Sequence, residues 1–438
     1  MNMNGPDAAI GVLGGGLAGL AVAAQIPDAT EVLEQGERPG GHLESVSEEG
    51  FTFDAGGPHI MFSRNTQTLD YMVSLLEGNA HVVRRNNKVL YKGRLVKYPF
   101  ENGLGDLDPQ DRFECLYHYL YNEHPAPTNF KEWMYHTFGT GLTEKYLLPY
   151  NEKIWKAPAD QMSHDWVDGR VPKPPQADVI KAAVGLDTEG YTHQLNFYYP
   201  LTGGIESLAH ALAKRIPKLV LGFTVRHIRK TARGWLVSDG KRERLYEHIV
   251  STLPIIEMAD IVEDVTEDVK ECVRKLHYNS LMTITLGLTS NRLPDYTAIY
   301  VPDPELLFHR LSFPAVFSPN NAPKGCSLIQ AEITGIPGDG VWELDDAEVL
   351  ARVISGVEST GLLRRDEICY TKVLRSKYGY VVHDFGYRSL LDQAKSYFEG
   401  LGIALCGRNA EFEYMNMDQC IESAIRTVAR VGQEPRRN

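Results

Sequence analysis

The stretch that decides the fold is IGVLGGGLAGLAVAA at residues 10–24, an apolar strand that runs through a glycine-rich turn into an alanine-rich helix. Glycine allows a tight turn, a close approach of the main chain to a pyrophosphate and close packing of the helix on the strand. Unpaired N–H groups at the helix N-terminus favour phosphate. Glu34 follows a second strand at residues 31–33, twenty residues after Gly14, where it can accept hydrogen bonds from a ribose. The stretch therefore predicts a dinucleotide cofactor site, and the alternative is a glycine-rich turn without a ligand.

The composition is typical of a globular protein, with 438 residues of which 43% are hydrophobic and 23% charged. This length predicts two or three domains. The net charge of −12 argues against a nucleic-acid partner, because a basic stripe is needed to displace counterions from phosphates. The six cysteines are scattered without metal-ligand spacing, and no run of eighteen apolar residues occurs. We therefore expect a cytoplasmic protein with reduced thiols, no metal site, no signal peptide and no membrane span.

Apolar periodicity divides the rest of the chain into segments of different type. Residues 109–187 have helical periods, whereas residues 281–374 contain several strand candidates around one helix. A strand is also expected at residues 224–228. The C-terminal part returns to a buried strand at 402–408 and an amphipathic helix at 418–428. The two ends and the middle of the chain therefore predict one cofactor domain with two insertions.

Two further glycine-rich loops come after the second strand. The pair Gly40-Gly41 suits a main chain that passes close to a bulky ligand, and the alternative is a surface turn. His59 comes directly after Gly56-Gly57-Pro58. It is interpreted either as a functional residue or as a structural hydrogen-bonding histidine.

These glycine-rich elements and the C-terminal strand and helix resemble the flavin-binding domain of the amine oxidase and protoporphyrinogen oxidase group. The elements that carry the resemblance are Gly14 to Gly19, Glu34, Gly40-Gly41, the strand at 250–252 and Gly407-Arg408. The resemblance implies FAD rather than NAD, with the last helix pointing its N-terminus at the pyrimidine edge of the flavin. His42 departs from the family, which often has arginine there. The residues that the resemblance assigns to the cofactor are Gly14, Gly16, Ala18, Gly19, Glu34, Gln35, Gly40, Gly41, His42, Gly57, Val225, Gly407, Arg408, Met417 and Asp418.

The predicted fold class is therefore α/β, with a Rossmann-like FAD-binding domain, a helical insertion and a mixed or antiparallel β-sheet domain. The FAD-binding domain is expected to be discontinuous. Its expected segments are residues 7–80, 196–262 and 395–434, with a helical substrate domain at 104–195 and a sheet domain at 81–103 and 263–394.

Motifs in the insertions resemble a narrower family, the UDP-galactopyranose mutases, nearer the eukaryotic branch. Each motif is weak alone, but their order and several spacings agree over most of the chain. The motifs are GGPHIMF around His59, YPFEN at 98–102, PYNEKIW at 149–155, DGRVP around Arg170, Tyr300 ten residues before Arg310, and GRNAEFEY at 407–414.

The resemblance implies a role for each matching residue. Arg170 and Arg310 would grip the substrate diphosphate, since a guanidinium fork suits phosphate oxygens. His59 would lie beside the reactive N5 of the flavin, and Arg85 and Asn87 match positions that help to receive NADPH. The resemblance also implies the substrate contacts. Phe100, Tyr146 and Asn151 would hold the nucleotide base next to Glu101, Trp155 would wall the sugar pocket, and Asn196 would contact the sugar. Tyr300, Tyr380 and Tyr414 would add hydroxyl donors to the phosphates. The alternative for the tyrosines is packing in cores and surfaces, as expected for most of the 22 in the chain.

Glu101 departs from the family, which usually has glutamine after Tyr-Pro-Phe. An amide can both donate to and accept from uracil, whereas a carboxylate only accepts. Guanine offers two adjacent N–H donors, so one hypothesis is a shifted base preference, with GDP or another nucleotide in place of UDP. The alternative is that Glu101 faces solvent.

The leading functional hypothesis is an isomerase: a mutase that interconverts the pyranose and furanose forms of a nucleotide sugar. As the resemblance implies, N5 of reduced FAD attacks the anomeric carbon and expels the nucleoside diphosphate without net redox change, and NAD(P)H reduces the flavin. One rival is an FAD-dependent amine oxidase or desaturase, and another is a flavin-binding protein without catalysis. The sequence leaves the sugar, the nucleotide and the oligomeric state open.

Overall fold

The computed structural model describes residues 6–167, 170–171, 173–190 and 195–432. Its strands, in chain order, are β1 (Ala8–Leu13), β2 (Thr30–Leu33), β3 (Ser45–Glu48), β4 (Phe51–Asp54), β5 (Ala80–Arg84), β6 (Asn87–Tyr91), β7 (Arg94–Lys97), β8 (Asn196–Pro200), β9 (Leu219–Val220), β10 (His227–Thr231), β11 (Gly234–Ser238), β12 (Glu243–Ser251), β13 (Tyr278–Leu288), β14 (Ala298–Tyr300), β15 (Arg310–Ser312), β16 (Ser327–Gly335), β17 (Ile368–Val381) and β18 (Ile403–Leu405). Its α-helices are α1 (Leu17–Gln25), α2 (Thr66–Leu75), α3 (Pro109–Leu120), α4 (Phe130–Leu142), α5 (Leu148–Trp155), α6 (Gln176–Ala183), α7 (Glu206–Ala213), α8 (Ile255–Ile261), α9 (Glu267–Arg274), α10 (Pro314–Phe317), α11 (Asp346–Ser359), α12 (Tyr387–Leu401) and α13 (Met417–Val431).

The first large sheet has β1 near its centre. Its strand order is β10-β11-β12-β1-β2-β9, with β18 alongside β12. β1 pairs in parallel with both β12 and β2, so that Leu13 lies between Ser251 and Leu33. β1 therefore has β2 on one side and β12 on the other, at the point where the strand order changes direction. The carboxyl end of a strand at this point is the usual ligand crevice of a doubly wound sheet. The Rossmann-like prediction is confirmed.

Close packing of α1 on β1 follows from the glycines of the opening stretch. A Cβ atom added at Gly19 would lie 2.0 Å from the carbonyl oxygen of Gly14, so a larger side chain would push the helix away. The C-terminal helix α13 shares the core of this domain, where Ile421 and Ala424 belong to the same apolar cluster as Leu20. The helix α13 is thus packed in the same apolar core as α1.

The second large sheet has the order β17-β13-β16-β15-β14-β6-β7. Neighbouring strands in this sheet are antiparallel, except that β14 and β6 are parallel to each other. This mixed pattern confirms the predicted sheet type. The hairpin β6–β7, far from the other strands in sequence, completes one edge of this sheet.

Between residues 104 and 190 the described chain is mainly helical, as predicted. Helices α3, α4 and α6 pack around an apolar cluster that includes Cys115, Phe138 and Val179. A π-helical turn, Thr143–Leu147, joins α4 to α5 and was not predicted. None of the helices in the described ranges is long and apolar enough to cross a membrane.

The prediction of a strand at residues 224–228 is wrong for residues 224–226. β10 begins only at His227, because the preceding segment makes other contacts. The N–H of Phe223 donates to the Glu34 carbonyl at 2.8 Å, and Thr224 and Val225 face a large cavity instead of pairing in the sheet.

Candidate functional site

A cavity of about 1700 Å³ opens between the two large sheets. It is larger than the roughly 300–1,000 Å³ of an ordinary small-molecule pocket, so it can hold a cofactor together with a substrate. The carboxyl end of β1 and the N-terminal ends of α1 and α13 form one side, and residues of β14, β15 and β17 form the other.

The β1–α1 turn fits a dinucleotide. Gly14 has φ +102°, a left-handed conformation that favours glycine. Gly16 precedes the first residue of α1 and has no side-chain cap, so the first amides of the helix are open to the cavity. A Cβ atom at Gly16 would have no neighbour nearer than the Gly41 Cα at 4.0 Å. This space in front of a helix N-terminus is the kind of cradle that a pyrophosphate occupies.

The Glu34 carboxylate is held at the end of β2 by two main-chain amides. It accepts hydrogen bonds from the N–H of Gly15 and of Gly36, each at 2.7 Å. Each oxygen retains a second lone pair, and the side chain lines the cavity. Its position therefore suits hydrogen bonds from a ribose, as predicted.

Most of the residues predicted for the cofactor lie on the cavity wall. These are Gly14, Gly16, Ala18, Glu34, Gln35, Gly40, Gly41, His42, Val225, Gly407, Arg408, Met417 and Asp418. Gly19 and Gly57 lie behind the wall, where Gly19 packs on the β1 turn and Gly57 packs on Glu332. At the start of α13, the Ser63 hydroxyl donates to Asp418 at 2.6 Å.

Two histidines lie side by side in this wall. Burial and the charges of Arg408 and Arg310 lower the pKa of His59 to about 4, and burial lowers the pKa of His42 to about 3. Both rings are therefore neutral near pH 7. The His59 Nδ1 lies 2.7 Å from the Gly57 carbonyl, which can only accept, so Nδ1 carries the proton and Nε2 has a lone pair.

Arg170, a predicted phosphate ligand, and Arg408, a residue predicted for the cofactor, both lie over the ring of Tyr414. The Arg170 guanidinium lies 4.5 Å from the centroid of that ring, and the Arg408 guanidinium lies 4.8 Å from it. The Tyr380 ring is 5.7 Å from Tyr414, and Arg408 also lies over it at 5.4 Å. Burial and the neighbouring Arg408 lower the pKa of Arg170, although Tyr414 opposes this. A second cation nearby makes this corner attractive to an anion.

Arg310 belongs to a row of side chains across the second sheet. Glu332, Arg310 and Tyr300 are directly opposite one another on β16, β15 and β14. The Arg310 Nε and Nη2 atoms each lie 2.5 Å from a Glu332 oxygen. Burial disfavours the charge, but Glu332 holds the pKa of Arg310 well above its usual value. In the described part of the chain no hydrogen bond of the second terminal nitrogen, Nη1, is found, and Arg310 lines the cavity.

Sequence reasoning missed Glu332, which is fully buried. A signal was present: Gln330 and Glu332 alternate with apolar residues in β16, SLIQAEITG, and a carboxylate in a buried strand needs a partner. Sequence reasoning also missed Asp54. This buried carboxylate accepts hydrogen bonds from the Tyr199 hydroxyl at 2.9 Å and from the His59 N–H at 3.2 Å. Burial raises the pKa of Asp54 to about 6.

The residues predicted for the nucleotide base lie together but are not on the cavity wall. The Phe100 and Tyr146 rings stack with centroids 5.1 Å apart inside an apolar cluster. Glu101, in the turn Phe100–Asn102, is 4% exposed, so the interpretation that it faces solvent is wrong. Burial raises the pKa of the Glu101 carboxyl to about 7, because the apolar surroundings disfavour its charged form.

The two residues predicted to contact the sugar, Trp155 and Asn196, lie in different parts of the structure. The Trp155 ring lies behind the tyrosines, 5.9 Å from Tyr380 and 5.8 Å from Tyr414, and its Nε1 donates to Asn151 at 3.1 Å. Asn196 is exposed on β8, away from the cavity wall. In the DGRVP motif, Asp168, Gly169 and Pro172 lie outside the described residues.

The doubly wound sheet, the phosphate cradle and the adjoining cationic corner define a dinucleotide-dependent enzyme fold. A family model described as flavin containing amine oxidoreductase matches residues 17–432. The chain belongs to this family, and its cofactor is accordingly a flavin, consistent with the prediction of FAD.

Solved structures with the same fold include different activities. Reduced UDP-galactopyranose mutase is 24% identical with a TM-score of 0.89, covering 98% of this chain and 94% of that chain. Cyclohexylamine oxidase from Brevibacterium oxydans is 15% identical with a TM-score of 0.70, covering 98% and 99%. A CLA-producing fatty acid isomerase from P. acnes is 14% identical with a TM-score of 0.65, covering 97% and 98%. The fold therefore accommodates both oxidases and isomerases.

Proposed function

We propose that this protein is a flavin-dependent mutase that interconverts the pyranose and furanose forms of a nucleoside diphosphate sugar. The observation that carries the proposal is the cluster of Arg170, Arg310 and Arg408 with tyrosines on the wall of the flavin cavity. Guanidinium groups bind phosphate oxygens in a bidentate manner and stay charged at any working pH. The fold similarity to UDP-galactopyranose mutase points in the same direction.

The residues of the chain would bind and orient the diphosphate. When bound, reduced FAD supplies a nucleophilic nitrogen for the anomeric carbon. Arg170 and Nη1 of Arg310 would stabilise the negative charge that develops on the departing diphosphate. Tyr300 and Tyr414 would add hydroxyl donors, and Trp155 would support the tyrosines from behind.

His59 would act as a neutral hydrogen-bonding residue in this reaction. Its low pKa excludes an imidazolium at pH 7, and the Gly57 carbonyl occupies its Nδ1 proton. The Nε2 lone pair can therefore accept a hydrogen bond from the flavin or the substrate, but the ring does not donate a proton from a charged form.

Glu101 is not on the cavity wall, so a nucleotide base would have to reach the turn Phe100–Asn102 to contact it, and the base preference would then depend on its protonation. With a pKa of about 7, the carboxyl is partly protonated near neutral pH, and the protonated form both donates and accepts, as an amide does. The carboxylate form suits the two N–H donors of guanine. Titration of the reduced protein with UDP and GDP at pH 6 and pH 8 tests this; preferential UDP binding that Glu101→Gln and pH leave unchanged would exclude a shifted preference.

We also propose NAD(P)H as the reductant and a cytoplasmic location. Arg85 and Asn87 line the same cavity, and the Arg85 guanidinium lies over the Phe62 ring, 5.5 Å from its centroid. An arginine in this position would bind the phosphates of NAD(P)H. All six cysteines are free thiols, which fits a reducing compartment.

The second candidate is an amine oxidase, which the family match and cyclohexylamine oxidase favour. An aromatic pair such as Tyr380 and Tyr414 could take the ammonium group of an amine. In this protein, however, Arg170 and Arg408 already lie over those rings. Their charges would repel an ammonium and attract a diphosphate, so the mutase is the better-supported function.

Binding of a diphosphate separates the two candidates. We expect the reduced protein to bind UDP or GDP, and Arg170→Ala to weaken binding by about 10- to 100-fold, because a charged hydrogen bond contributes roughly 1.5–3 kcal/mol. Arg365→Ala, at an exposed pair with Glu358, is the matched control and should have no effect. Equal affinities in the two variants, or no binding by the wild type, would reject the proposal.

A further inference from the structure

Asn87 connects the first strand of the edge hairpin to Tyr300. It is the first residue of β6 and pairs in parallel register with Ala298, two residues before Tyr300 on β14. Side chains two residues apart lie on the same face of a strand. Asn87 is 8% exposed, and both Asn87 and Tyr300 line the cavity.

A chain of hydrogen bonds runs through the Asn87 amide. The main-chain N–H of Asn86 donates to the Thr297 hydroxyl at 2.9 Å, and that hydroxyl lies 2.5 Å from Asn87 Oδ1. Asn87 Nδ2 lies 3.3 Å from the Tyr300 hydroxyl oxygen. The N–H of Thr297 also donates to the Asn86 carbonyl at 2.9 Å, which fixes the two main chains against each other.

The first link sets the direction of the whole chain. A main-chain N–H can only donate, so Thr297 accepts at that end and has one proton left for the other. Thr297 is 3% exposed, and its hydroxyl donates that proton to Asn87 Oδ1, the acceptor 2.5 Å away. The amide nitrogen of Asn87 then faces Tyr300, whose oxygen accepts, and the Tyr300 proton is left for a partner elsewhere.

We propose that Asn87 and Thr297 are positioning residues that hold the Tyr300 hydroxyl as a hydrogen-bond donor to an anion in the cavity. Tyr300 is directly opposite Arg310 in the β14–β15 pair, so its proton is presented on the same face as the Arg310 guanidinium. That the anion is the substrate diphosphate rests on the proposed function. Hydrogen-bond chains that run in one direction also strengthen the terminal donor.

Infrared spectroscopy tests the direction without any ligand. The C–O stretching frequency of a phenol falls when its oxygen accepts a hydrogen bond and rises when its proton is donated, and a wild-type minus Tyr300→Phe difference spectrum isolates this residue. We expect Asn87→Ala to raise the Tyr300 frequency, because it removes an accepted bond. Asn86→Ala keeps the main-chain N–H and should leave the frequency unchanged. An unchanged or lower frequency in Asn87→Ala would overturn the proposal.

A second pair of variants guards against a folding defect. Thr297→Ser retains the hydroxyl and should reproduce the wild-type spectrum, whereas Thr297→Val removes the link that orients the amide and should resemble Asn87→Ala. Identical spectra for these two variants would also contradict the proposal.

Binding of inorganic pyrophosphate tests the consequence. We expect Asn87→Ala to weaken binding about fivefold, the effect of one hydrogen bond, and to cause no further loss when Tyr300 is already phenylalanine. Losses that simply add in the double variant would overturn the proposal. If the wild type binds neither pyrophosphate nor UDP nor GDP, the proposed function fails, while the infrared result still decides the role of Asn87.

Discussion

The Arg310–Glu332 ion pair fixes an arginine on the cavity wall, with Glu332 buried outside the lining. Glu332 has no exposed surface, and among the described residues its side chain is hydrogen-bonded by Arg310 and by the Ser312 hydroxyl at 3.5 Å. Breaking a buried pair by removing one partner is strongly destabilising, because the other charge remains in a poorly solvating environment. Two hydrogen bonds to Glu332 fix the orientation of the guanidinium, and in the proposed reaction this would supply preorganised electrostatic stabilisation.

Replacement of Glu332 by glutamine should therefore cost stability that an anion restores. We expect Glu332→Gln to lose about 3–5 kcal/mol of unfolding free energy and to gain more stability than the wild type on addition of pyrophosphate. Thermal unfolding with and without pyrophosphate measures both effects. Glu358→Gln, which breaks an exposed pair with Arg365, should change little. A similar small loss in the two variants would contradict the account of Arg310.

Glu101 gives a prediction about the dependence of stability on pH. Its pKa is raised from 4.5 to about 7 in the folded protein, so the folded state binds the extra proton and the wild type loses stability as the pH rises through this range. Glutamine cannot titrate. We expect Glu101→Gln to match the wild type near pH 5 and to exceed it by up to about 3 kcal/mol at pH 8. Urea unfolding at both pH values measures this, and a difference independent of pH would contradict the burial of an ionisable Glu101.

Within the β1–α1 unit, glycine is required at two positions for two different reasons. Gly19 allows the helix to pack on the strand, whereas Gly16 leaves room on the cavity side. The first demand concerns the fold and the second concerns the ligand, although both occur in one short sequence. Substitutions at the two positions should therefore have different consequences.

Alanine at each position separates folding from flavin binding. Gly19→Ala places a methyl group 2.0 Å from the Gly14 carbonyl oxygen, and we expect both a lower Tm and loss of flavin. Gly16→Ala meets no protein atom within about van der Waals distance, so we expect a near wild-type Tm for the flavin-free protein but weaker flavin binding. Flavin absorbance after purification and unfolding of the flavin-free proteins measure the two effects. Full flavin content in Gly16→Ala would place the pyrophosphate elsewhere.

The sequence was informative where the chemistry is local. The glycine spacing around Gly14 and the apolar strands predicted the Rossmann-like sheet and the mixed sheet, because periodicity and turn geometry are properties of neighbouring residues. It could not predict which side chains meet across strands. Glu332 reaches Arg310 only because β15 and β16 pair in one register, and Asn87 reaches Tyr300 from 213 positions away. The predicted domain boundaries and the roles of Phe100 and Asn196 stay predictions.

For the whole molecule, the distribution of charge matters more than its sum. The chain has a net charge of −12, yet Arg170, Arg310 and Arg408 line one cavity, and two of them lie over the ring of Tyr414. Low-dielectric walls strengthen the field of such a cluster. The proposed anionic substrate would therefore be attracted to it although the net charge of the protein is negative. The proposed diphosphate site differs in this cationic corner from the apolar site that an amine requires.

The most direct test of this account is turnover of nucleoside diphosphate hexopyranoses by the reduced protein. Products are identified by NMR while an electrode records oxygen in the same sample. We predict ring contraction to the furanose form after reduction by dithionite or NADPH, none with the oxidised protein, and no oxygen consumption in excess of free-flavin reoxidation. Steady oxygen consumption with peroxide release on an amine, without ring contraction of any nucleotide sugar, would contradict it.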